Sequence, residues 1–135
     1  MPTVIRRTET TVSDKRRETL HAVGWQVQVR RDVWSPPTDV YETGTEYIVR
    51  AEAAGIREDD FEVIFDEGLL LVSGVRLDVT ERRAYHQMEI PFGKFLVAIA
   101  IPGPVDLDHS QVEYRDGFLT VHLPKAGPAS VKIES

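Results

Sequence analysis

The stretch Gly117-Phe118-Leu119-Thr120-Val121-His122-Leu123-Pro124 constrains this chain more than any other. Leu119, Val121 and Leu123 recur at every second position, the period of a half-buried strand, and Pro124 marks where its ladder ends. Asp116-Gly117 just before it suits a type I′ turn, because glycine adopts positive φ without a steric penalty. That turn folds Val112-Glu113-Tyr114-Arg115 back alongside, with Val112 and Tyr114 on the face of Leu119, Val121 and Leu123. The device occurs twice. Glu62-Val63-Ile64-Phe65-Asp66-Glu67-Gly68-Leu69-Leu70-Leu71-Val72 repeats it, with Glu67-Gly68 at the turn. A two-residue turn there sets Phe65 opposite Leu70 and Ile64 opposite Leu71. With Phe65 and Leu70 inward, Ile64 and Leu71 face outward, as does Phe118 of the second hairpin.

Around these hairpins the chain reads as further short strands separated by turns. Trp34-Ser35-Pro36-Pro37 is a boundary, since two prolines stop any regular element before it. Thr38 to Glu42 and Glu46 to Ala53 follow as strands, and Arg57-Glu58-Asp59-Asp60 bends into the first hairpin. Phe95 to Ile101 is a strand apolar on both faces, closed by Pro102-Gly103-Pro104. Between Gly74 and Phe92 lies a charged stretch with a strand-like centre, Ala84-Tyr85-His86-Gln87-Met88. It is long for a loop within a compact domain, which points to a function or a partner. Residues 1–33 are polar and expected to be partly disordered, with Ser13 capping a short helix through Val23 and Gly24 stopping it. Trp25 is their one aromatic residue. The linker Pro124 to Ser130 leads to Val131-Lys132-Ile133, whose two apolar side chains at i and i+2 suit addition to a sheet edge.

Reactive chemistry finds little support. There is no cysteine, so neither disulfides nor thiolates enter. His21, His86, His109 and His122 stand in separate segments without metal-ligand spacing. No G-x-S-x-G elbow and no Gly-rich phosphate loop occurs. The expectation is a protein without catalytic residues, bound metal or cofactor. Net charge is -6 over 135 residues, which argues against specific nucleic-acid binding. Residues 1–33 hold seven Lys/Arg against four Asp/Glu, but no aromatic residue is interleaved with Arg6-Arg7, Lys15-Arg16-Arg17 or Arg30-Arg31 to stack a base. No run is apolar enough to span a membrane, and Met1 to Arg7 lacks the apolar core of a secretory signal, so a cytoplasmic location is expected.

Read together, three segments in order resemble the small heat-shock proteins built on an α-crystallin domain. Gly117 to Pro124 is similar to the family's G-x-L-x-V-x-L-P run. Trp34-x-Pro36-x-x-Asp39-Val40-Tyr41-Glu42 resembles its domain opening, and Val131-x-Ile133 its C-terminal I-x-I/V motif. The resemblance implies an all-β, immunoglobulin-like antiparallel β-sandwich over residues 34–125, with a flexible N-terminal arm (1–33) and a C-terminal tail (126–135). It implies an ATP-independent holdase that assembles with copies of itself and binds partly unfolded client proteins. By the same resemblance, Val131 and Ile133 anchor in a groove lined by Val63, Phe65, Val112 and Tyr114, and Ala84 to Met88 crosses to a second subunit. Family members commonly carry an arginine where Val97 stands here. Trp25, Ile64, Leu71 and Phe118 are candidates for a client surface. The alternatives are a CS/p23-type co-chaperone adaptor with a similar sandwich, or a β-sandwich enzyme or ligand-binding protein.

Overall fold

The computed structural model describes residues 5–7, 20–23, 26–29 and 33–127. Among these residues ten strands are arranged in two sheets. The larger contains β1 (Ile5–Arg7), β2 (Leu20–Val23), β3 (Gln26–Val29), β6 (Phe61–Asp66), β7 (Leu69–Arg76) and β8 (Gly93–Ala100), in the order β1-β6-β7-β8-β3-β2. The smaller contains β4 (Thr38–Glu42), β5 (Glu46–Glu52), β9 (Gln111–Arg115) and β10 (Phe118–Pro124), in the order β4-β5-β10-β9. Together they form an immunoglobulin-like β-sandwich, the fold class expected from the sequence.

Both two-residue turns form as their sequences demand. Glu67 and Gly68 have φ of 51° and 80°, and Asp116 and Gly117 have 54° and 83°, the paired positive values of type I′. The turns set the register: Phe65 lies opposite Leu70 and Ile64 opposite Leu71, while Leu119 pairs with Tyr114 and Val121 with Val112. Alternation then sends one side of each strand into a common core. Phe61, Val63, Phe65, Leu70, Val72, Phe95, Val97 and Ile99 come from the larger sheet, meeting Tyr47, Val49, Val112, Leu119, Val121 and Leu123 from the smaller. Val97 pairs with Val72 and is fully buried among these side chains, so a charge there would be desolvated.

β7 and β8 carry apolar residues on their other face too. Leu71, Leu96 and Ala98 form a second cluster, flanked by Val33, Ile64, Leu69 and Ala100. Close approach marks the packing of β7 against its neighbours. A side chain on Gly74 would press on the Asp60 carbonyl oxygen and come within 2.7 Å of the Phe95 ring. Trp34 is locked beside β8, its indole donating to the Gly93 carbonyl at 3.1 Å and its ring lying 5.3 Å from Phe95.

The helix expected through Val23 is not formed where the chain is described. Leu20–Val23 is a strand, paired antiparallel with Gln26–Val29, which in turn joins β8 through Gln26 with Ile99 and Val27 with Ala98. A sheet edge supplies backbone partners to an incoming strand, and that outweighs the weak local preference of a polar segment for helix. Ser13 and the rest of the expected helix lie outside the described residues.

Candidate functional site

Three surfaces carry the residues singled out from the sequence. The first is the side of the sandwich where β6 of one sheet faces β9 of the other. Val63, Phe65 and Val112 are buried there, and Tyr114 is half-buried against the same cluster. Tyr114 ties the wall together: its hydroxyl donates to the Ala53 carbonyl at 2.9 Å, and its ring packs on Phe61 at 4.9 Å. The four expected groove residues all belong to, or pack against, the main core, and none of them lies open to solvent. β1 lies along the outside of β6, parallel to it, with Ile5 in register with Val63 and Arg7 with Phe65. Asp66, the last residue of β6, is buried, and its Oδ2 has no hydrogen-bond partner among the described residues. The anchor residues Val131 and Ile133 lie outside the described residues.

The second surface is the segment between β7 and β8. Ala84 to Met88 takes no strand partner among the described residues, and every residue from Leu77 to Phe92 is exposed. Leu77, Val79, Tyr85, Met88, Ile90 and Phe92 present large apolar side chains to solvent. Local polar contacts give the segment some shape. Arg83 donates to the Tyr85 hydroxyl at 3.1 Å and pairs with Glu81 at 3.0 Å, and these bonds, Tyr85 first, raise its pKa above the usual arginine value. Gln87 donates to Glu89 at 2.6 Å.

The base of this segment is clasped by Arg76, which sequence reasoning missed. Its Nε and Nη2 donate to the Pro91 carbonyl at 3.0 and 2.9 Å, and Nη1 donates to the Ala54 carbonyl at 2.9 Å. The guanidinium also lies over the Trp34 ring at 4.3 Å and near Phe92 at 5.6 Å. One side chain thus joins both ends of the exposed segment to the body. Its planar fork explains why arginine does this and lysine would not. A lone arginine at a strand end has no spacing signature that would reveal the role.

The third surface is the outer face of each sheet. Ile64 and Leu71 do face away from the main core, as the register requires. Leu71, however, is buried within the second cluster and Ile64 is half-buried beside it, so they do not form a bare patch. Alternation tells which face a residue takes, not whether that face is covered. Phe118 is half-buried on the outer face of the smaller sheet, with the Arg50 guanidinium 3.9 Å over its ring. It belongs to a shallow depression shared with Arg50, Glu113, Arg115, Asp116 and Thr120. Arg115 is held by Glu113 at 3.0 Å. His122 is half-buried, 3.2 Å from Glu46 and 3.8 Å from Glu113. Trp25 lies outside the described residues.

These features define a β-sandwich whose distinctive surfaces are strand edges and an exposed apolar loop. The model of the Hsp20/alpha crystallin family matches residues 39–134. The chain belongs to that family. It is 30% identical over 102 residues to small heat shock protein C4 of Rickettsia felis, a match covering 74% of this chain and 63% of that one. The chain thus spans less than two thirds of that relative's length. Among solved structures it is similar to heat shock protein 16.0 from Schizosaccharomyces pombe, with 30% identity and a TM-score of 0.64 over 75% of this chain and 96% of that one. It is also similar to a small heat-shock protein from Xylella fastidiosa, described as revealing a distinct high order structure. That match has 25% identity and a TM-score of 0.61 over 76% and 98% of the two chains.

Proposed function

We propose that this protein is an ATP-independent holdase, which binds partly unfolded proteins and suppresses their aggregation while assembling with copies of itself. The observation that carries the reading is the segment Leu77 to Phe92, with its six large exposed apolar side chains on a backbone that has no strand partner among the described residues. Exposed apolar surface and open strand edges are what a partner copy covers, and also what an unfolding client presents. Family membership favours this over a CS/p23-type adaptor.

In this reading residues 34–125 are the working domain, 1–33 an arm and 126–135 a tail. Ala84 to Met88 pairs with a second copy, and Val131 and Ile133 insert beside Val63, Phe65, Val112 and Tyr114. Phe118 and the Ile64–Leu71 face, with Trp25, contribute to client capture once uncovered. No cofactor and no catalytic step are involved, and the protein works in the cytoplasm. The high order structure described for the Xylella fastidiosa relative supports assembly here. The test is light scattering from heat-denatured citrate synthase without nucleotide. Scattering should fall as this chain is added; an unchanged signal at molar excess would overturn the reading.

A further inference from the structure

The edge of β6 is the place where the structure goes beyond the reading above. We infer that this edge is a shared seat: the chain's own β1 occupies it at rest, and the Val131-Lys132-Ile133 tail of another copy displaces β1 on assembly. The inference rests on the proposal that the tail docks beside Val63 and Phe65.

Geometry makes the two occupants exclusive. Neighbouring strands sit about 4.8 Å apart and share one ladder of backbone hydrogen bonds, so one edge takes one strand. β7 holds one side of β6 along its whole length, from Phe61 with Gly74 to Asp66 with Leu69. β1 holds the other, opposite Val63, Ile64 and Phe65. Two of those three are the residues a docked tail would meet.

The two segments are also alike in sequence. Ile5-Arg6-Arg7 and Val131-Lys132-Ile133 both begin with a β-branched apolar residue and continue with a basic one. The segments differ at the third position. β1 brings Arg7 into register with the buried Phe65, where the tail would bring a second apolar side chain. The tail is therefore the better fit for the wall, while β1 has the advantage of being in the same chain. Tethering gives β1 an effective concentration in the millimolar range, so a three-residue strand can hold the seat until other copies are abundant. Displacement then ties assembly to release of the N-terminal segment.

The test uses the full chain with Val131→Gly and Ile133→Gly, so that its own tail does not compete. The probe is a fluorescein-labelled peptide of residues 126–135, followed by anisotropy. Deleting residues 2–8 should tighten peptide binding by about tenfold if β1 fills the seat nine-tenths of the time. Arg7→Ile, which gives β1 the apolar pattern of the tail, should weaken binding instead. A deletion that merely loosened the sandwich would also weaken binding, and that result counts against the inference. Equal affinity across all three chains overturns the competition but leaves tail docking intact. Peptide binding to none of them overturns both.

Discussion

Gly74 and Arg76 show how much single side chains decide at the end of β7. Gly74 is required because the Asp60 carbonyl and the Phe95 ring leave no room for a methyl group. Gly74→Ala should therefore lower stability by about 1–3 kcal/mol, the usual range for overpacking, as read from urea denaturation. Arg76 acts on the exposed segment rather than on the core. Arg76→Lys keeps the charge but cannot hold the Pro91 and Ala54 carbonyls together, and it loses planar contact with Trp34. Cleavage by trypsin at Arg82 and Arg83 should become several-fold faster, with little change in global unfolding. Unchanged digestion would mean that the segment is shaped by its own contacts, such as Arg83 with Tyr85.

Among the elements, the segment between β7 and β8 and the outer face of the larger sheet behave differently. Gln87→Pro removes a backbone donor from the centre of the exposed segment, which makes no ladder with the described residues of its own chain. It should leave the sandwich intact and shift the protein toward monomer in sedimentation velocity. A surviving dimer would mean that copies pair along another edge. Ile64 and Leu71 look equivalent in the alternating pattern, and aspartate at either would be expected to spare stability. The structure changes that expectation for Leu71, which lies buried among Leu96, Ala98 and Val33. Leu71→Asp should lower the melting temperature sharply, because it places an unpaired charge in an apolar cluster. Phe118→Ser is the cleaner probe of client capture, since its ring lies half-buried on a surface depression and not in the core.

On the scale of the whole molecule, assembly should depend on weak and reversible links. Replacing Val131 and Ile133 by glycine should dissolve higher oligomers into smaller units with the sandwich still folded. Burying two such side chains contributes roughly 1.5–3 kcal/mol each, less the ordering of the tail. Light scattering after size exclusion checks this, and an unchanged mass distribution at working concentration would remove the tail from the assembly.

Much of this architecture was written locally. Asp116-Gly117 and Glu67-Gly68 specify their turns through backbone φ, each turn specifies a register, and each register specifies which residues share the core. Those steps involve neighbours within a few residues, so they are readable in the chain itself, as are the segments by which the family was recognised. What only the tertiary structure decided concerns segments distant in sequence. The pairing of β1 with β6 joins residues about sixty positions apart, and β2 became a strand only because β3 found the β8 edge. The burial of Leu71 and the clasp at Arg76 likewise depend on what another part of the chain brings over them. Alternation and turn chemistry determine how a strand faces, whereas what lies against an edge or a face is a competition among all segments that can reach it.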